Sequence, residues 1–283
     1  MRGPRARFIR RSKWLSEEAG SAGLSRYNCV IISAMLAIGF FVVALIYSAV
    51  GFGGGSTYIA LLALTGHPAE VIPLIALPCN IAVVSVGSYL AVHRRDFDWR
   101  LSVPFFVASV PMAFVGGLIP LHATLYYLLL GSSLVIAGVS LMVRSAPDEA
   151  TTSGKRSRGL AAVIGGGLGL LSGMVGIGGG IFLAPILHYL RWASSKTIAA
   201  LCSFFILINS LSGLAGQILK AGTASAVSGL YEAMPLLIAV VIGGVVGARF
   251  VIEGVANQRV AQLTGLLVLL VGLRILWAWT ISL

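Results

Sequence analysis

Residues 27–66 carry no charged side chain, and within them runs Gly51-Phe52-Gly53-Gly54-Gly55-Ser56-Thr57. Forty apolar residues in one helix would extend about 60 Å, twice the hydrocarbon thickness of a bilayer. The stretch must therefore break, and glycine is where a chain turns most cheaply. That leaves a full span at roughly 29–49 and a remnant at 56–66 too short to cross, which reads as a half-helix or re-entrant piece. The same break returns at Gly176-Ile177-Gly178-Gly179-Gly180, between a span at roughly 159–175 and a short helix at 181–190.

The recurrence exposes an internal repeat. Gly51 to Leu64 aligns with Gly176 to Tyr189 at an offset of 125. Asn80 then falls opposite Asn209, Gly116-Gly117 opposite Gly243-Gly244, and Gly131 and Gly138 opposite Gly265 and Gly272. The expected fold is an all-α polytopic membrane protein of two homologous four-span bundles, each with a glycine-rich broken or re-entrant helix. Its parts are a basic N-terminal segment at 1–28, repeats at 29–143 and 159–283, and a polar linker at 144–158.

Composition agrees. Of 283 residues 58% are hydrophobic and 10% charged, where soluble domains carry about 25% charged. Continuous apolar runs exclude a transmembrane β-barrel, whose strands alternate. The 101–143 run is expected to turn back at Gly116-Gly117-Leu118-Ile119-Pro120. A net charge of +11 raises nucleic acid as a partner, but the 20 Lys and Arg residues sit almost entirely between spans and in the head. That is the positive-inside pattern of a protein whose partner is the lipid bilayer, with no nucleic acid. With four crossings per half, the head, the 93–100 loop, the linker and Lys220 gather 15 basic residues on one side against four on the other. This predicts parallel repeats with both termini and the linker cytoplasmic. An odd number of crossings would instead give inverted repeats, and that alternative stays open. Cys29, Cys79 and Cys202 lie in or beside apolar stretches and read as packed hydrophobes.

Paired glycine breaks in two hydrophobic halves point to a transport site. Unwound glycines let backbone N–H groups of Gly53, Gly54, Gly55 and of Gly178, Gly179, Gly180 converge on a ligand. The half-helix that follows aims its positive end at the same spot, which makes an anion cradle. Ser56 and Thr57 add hydroxyls after the first break. The competing reading is close packing, which fits Gly165, Gly169 and Gly173 and the Gly243–Gly247 pair. Asn80 and Asn209 sit mid-span, where an unpaired amide is costly. They serve either a ligand or a helix-to-helix bond. Arg249 could bind an anion bidentately or snorkel to the interface, and its counterpart in the other half is His122.

The spans hold no central Asp or Glu, which argues against a buried carboxylate relay, so a coupling proton would use histidine, water or the substrate. No Cys/His ligand spacing suggests a metal, no P-loop suggests ATP hydrolysis and no cofactor motif is present. Ser56 lacks a mid-membrane histidine partner, so no enzyme is expected.

The twice-occurring Gly-x-Gly-Gly-Gly, the mid-span asparagines and Gly-Gly-x-x-Gly-Ala-Arg at 243–249 together resemble the sulfite exporter TauE/SafE family, over about residues 29–282. The resemblance implies secondary transport of small sulfur-containing anions in a bacterial-type inner membrane: sulfite, an organosulfonate such as sulfoacetate, or thiosulfate. Alternating access would come from rocking one half against the other. A passive anion channel, or a transporter of another small organic anion, is the alternative. Transport direction, a homodimer and a coupling proton are left open by the residues.

Overall fold

The computed structural model describes residues 33–48, 53–93, 97–142, 157–249 and 257–281. The head, Cys29, Gly51-Phe52 and all but the end of the 144–158 linker lie outside them. Among the described residues the chain is helical, without strands. In order come α1 (Ser33–Ser48), α2 (Gly55–Leu64), α3 (Ile72–His93), α4 (Trp99–Leu118), α5 (Ala123–Met142), α6 (Arg158–Val175), α7 (Gly180–Leu190), α8 (Ser195–Arg249) and α9 (Asn257–Ile281). Among the described residues five helices are long and apolar enough to cross a membrane. Val107, Val163, Ile238 and Leu219 point outward and are largely exposed, the lipid-facing surface such helices require.

Both short helices appear where the glycine breaks put them. The expected turn at Gly116-Gly117 falls slightly later, at Ile119–His122, because the two glycines stay helical and serve packing. A Cβ on Gly116 would strike the Leu170 carbonyl, and one on Gly117 would come within 2.5 Å of the Gly213 carbonyl. Likewise Gly165, Gly169 and Gly173 present bare backbone to Phe105, Ser109 and Ala113 of α4. Gly243 and Gly247 meet Phe41 and Leu45 of α1. The small-residue stripe thus packs as read.

These contacts fix helix directions. Partners that advance together mean parallel helices: α4 with α6, and α1 with the second arm of α8. Gly117 on Gly213 and Ser212 Oγ donating to the Val110 carbonyl (2.6 Å) likewise set α4 parallel to the first arm of α8. Partners that advance oppositely mean antiparallel helices. Asn80 meets Ser210 while Gly87 faces Ser203, so α3 opposes that first arm. Gly131 meets Gly272 while Gly138 meets Gly265, so α5 opposes α9. α8 reverses at Gly222 (φ 75°, ψ 166°), a conformation glycine adopts freely. Its second arm runs with α3, where Gly229 faces Leu74 and Gly244 faces Val83.

α1 therefore runs opposite to α6. The start of α1 and the start of α6 lie at opposite ends of the bundle. The principal pairings, α3–α8, α4–α6, α4–α8 and α5–α9, each join residues before the linker to residues after it. α5 and α9 pack chiefly on each other and touch the rest through α2, α7 and the end of α6.

Candidate functional site

Asn80 lies on α3 two residues after Pro78, which removes a backbone donor from the helix and loosens it there. It is 0% exposed. Its Oδ1 accepts from the Gly55 N–H (3.2 Å), the first residue of α2. Its Nδ2 donates to the Ile177 carbonyl of the second break (3.4 Å) and to Ser210 Oγ of α8 (3.1 Å). One carboxamide thus ties the two breaks together.

Only glycine allows this approach. A Cβ on Gly55 would lie 2.6 Å from the Ile177 oxygen, and one on Gly178 would lie 2.7 Å from Asn80 Nδ2. The breaks differ in conformation: Gly176, Gly178 and Gly179 are left-handed (φ 89°, 88° and 78°), whereas Gly54 is not (φ −81°). Among the described glycines of the two breaks, strain from an added side chain, about 1–3 kcal/mol, therefore applies to those of the second. The N-cap residues of α2 and α7 are Gly54 and Gly179, which offer no side-chain acceptor, so the first-turn N–H groups depend on other partners.

Several buried polar atoms beside the breaks have no partner. Asn209, 0% exposed, leaves both amide atoms unpaired. It follows Phe205, whose ring lies against Gly179, and Ile206, whose side chain meets Gly178 and Gly180. Spacings of three and four put Asn209 on that same face of α8. Ser172 Oγ, near Gly179, and Ser56 Oγ and Tyr58 Oη on α2 are also unpaired. Tyr58 stacks on Phe40 with centroids 4.5 Å apart, which holds its hydroxyl beside Gly54. The Thr57 hydroxyl is taken by Tyr47 Oη at 2.9 Å. Buried groups that lack partners are costly, and they concentrate where a ligand would supply the missing bonds.

The site thus gathers Gly53, Gly54, Gly55, Ser56, Asn80, Gly178, Gly179, Gly180 and Asn209 of the residues singled out by sequence. It does not gather His122 and Arg249. His122 is exposed in the α4–α5 turn, whereas Arg249 closes α8 at the other end of the bundle, its side chain outside the described residues. Sequence reading missed Ser210, Tyr58 and Ser172. Ser210 had one available signal, adjacency to Asn209, while Tyr58 and Ser172 looked like ordinary helix residues. Among the described residues no group of three His, Cys, Asp or Glu could hold a metal.

Gly55→Ala is expected to weaken anion binding far more than Gly54→Ala. The atoms nearest a Cβ at Gly54 belong to the side chains of Tyr58 and Val43, whereas at Gly55 the nearest is the Ile177 carbonyl oxygen of the other break. Titration calorimetry on monodisperse variants reads the difference, and equal affinities would remove the breaks from the site.

Apolar helices interrupted at two glycine breaks that share a buried amide define a polytopic membrane protein of the transporter class. The chain belongs to the Sulfite exporter TauE/SafE family, which it matches over residues 35–275. It is 34% identical over 247 residues to a probable membrane transporter protein of Sinorhizobium fredii, covering 86% of this chain and 97% of that one. A probable membrane transporter protein of Methanocaldococcus jannaschii is 24% identical, with 83% and 90% covered. No solved structure matches.

Proposed function

We propose that the protein is a secondary transporter of small sulfur-containing anions, sulfite, an organosulfonate such as sulfoacetate, or thiosulfate, bound where the two glycine breaks meet. The observation that carries this reading is Asn80, whose amide holds Gly55 N–H and the Ile177 carbonyl at once beside unpaired hydroxyl and amide groups. Two half-helix N-termini and uncrowded backbone suit an anion.

The internal duplication, and its inverted sense, belong to the proposal. Self-complementary pairs support it: Gly131 with Gly272 mirrors Gly138 with Gly265, as expected for a pseudo-two-fold axis in the membrane plane. The same contacts argue against rocking one half on the other, because the halves interlock. The α5–α9 pair, set against α2 and α7, is the better moving part for alternating access.

Flux into proteoliposomes across a concentration series tests the reading. A carrier saturates and shows counterflow, whereas a passive pore rises linearly and shows none. Absence of flux with every sulfur anion would sink both.

The opposed directions of α1 and α6 support a linker and termini on opposite faces. Eleven of the thirteen Lys and Arg residues beyond position 28 fall in or beside segments at the linker's end, which supports that face as the cytoplasmic one against the seven basic residues of the head. Cysteines introduced at Ser153 and Ser282, with the native cysteines replaced, should accordingly be labelled from opposite sides of the membrane. Labelling from one side would overturn the inverted arrangement.

A further inference from the structure

Resting on the reading above, we infer that the paired breaks select singly charged oxyanions, sulfonates and hydrogensulfite, over doubly charged ones, sulfate, sulfite and thiosulfate. Each described polar group at the site is neutral: Asn209, Ser172, Ser56, Tyr58, Asn80 and backbone N–H. Among the residues whose side chains are described, no Asp, Glu, Lys, Arg or His is fully buried. Lys220, the cation of α8's first arm deepest in the chain, is eleven residues beyond Asn209, about 16 Å along the helix. It donates to the Ile119 carbonyl (3.5 Å) at the end of α4. Arg249 lies at the far end of the bundle.

Charge number decides what such a site accepts. The cost of moving an ion out of water grows as the square of its charge, so a dianion costs four times what a monoanion of equal size does. The attraction of fixed neutral dipoles grows only in proportion to charge. Neutral donors therefore offset the desolvation of a monoanion more fully than that of a dianion, which gains more from a cation beside it. The Asn209 amide adds a chemical preference, because it both donates and accepts. Hydrogensulfite offers oxygen atoms to its Nδ2 and a proton to its Oδ1. A proton carried on the substrate in this way crosses without any buried carboxylate of the protein, and deprotonation on a more basic side returns sulfite and the proton to water.

Methanesulfonate and sulfate form the cleanest comparison, because they are similar in size and tetrahedral but differ by one charge. Titration calorimetry on the intact purified protein, at fixed pH and ionic strength, is preferred to thermal shift, since sulfate stabilises proteins non-specifically. Methanesulfonate is expected to bind roughly 100-fold more tightly. Sulfate binding as tightly would overturn the inference, and so would binding of neither anion. Proteoliposome uptake of sulfur anions run beside it separates the two failures: uptake that persists with sulfate competing equally removes the charge selectivity alone, and no uptake removes the transport reading too. Asn209→Arg, which puts a cation in the site, should narrow or invert the preference. An unchanged ratio in that variant, once shown to be folded, would remove Asn209 from the site, and the wild-type comparison stands if it does not fold.

Discussion

Asn209→Leu is expected to raise the melting temperature and at the same time to abolish anion binding, whereas Asn80→Leu is expected to lower both. The two asparagines occupy equivalent places in sequence but opposite situations in the fold. Asn209 is fully buried with both amide atoms unpaired, and a buried polar group left without a partner costs about 1–3 kcal/mol. Leucine of similar volume removes that cost and removes the ligand's donor with it, worth roughly ten- to a hundred-fold in affinity. Asn80 instead satisfies Gly55, Ile177 and Ser210, and leucine would orphan a backbone N–H and a backbone carbonyl in a dry interior. Melting in detergent and calorimetric titration of the two variants check this. An Asn209→Leu protein that melts early and binds normally would make that residue a structural staple. Stability given up at a functional site is a familiar trade, and here it is assigned to one side chain.

Gly173→Ala is expected to be the most damaging single methyl group in the protein. A Cβ there would overlap the Ala113 carbonyl oxygen and come within 2.8 Å of the Ala113 carbonyl carbon and the Gly117 nitrogen. All three atoms are backbone on α4, so no rotamer change relieves the clash. The Gly173 carbonyl also receives Gln217 Nε2 at 2.9 Å, so displacement of α6 would break that bond to α8 as well. Overpacking of this kind typically costs 1–3 kcal/mol or more, and here two interhelical seams move together. Gly167, on the same helix, faces outward with nothing within 4 Å of an added Cβ, so Gly167→Ala serves as the control and should melt as wild type does. Similar melting of the two variants would show that α4 and α6 are not seated as described.

Helix positions were legible because apolar run length and glycine breaks are local signals. α6 and α7 begin and end within a residue of their expected limits. Span parity was not legible, since a ten-residue helix after a break does not announce whether the chain has crossed. The glycine breaks could be read as a site, but their meeting through Asn80 could not, because it joins residues 97 and 130 positions away. The Gly116-Gly117 pair shows the limit of composition: the same dipeptide that can end a helix can also be its closest packing surface, and only the neighbour decides.

The interlocking of the two halves has a consequence for how the chain is made. α1 and α4 enter the bilayer well before their partners α6 and α8 have been synthesised, so their glycine-lined faces must wait, covered only by lipid. Contacts between distant parts of a chain form slowly, and incomplete intermediates are those that quality-control proteases act on. A truncation before the end of α8 leaves a seam of α1 or α4 open, and one before the end of α9 leaves α5 without its partner, so the ribosome must release nearly the entire polypeptide before the bundle can close.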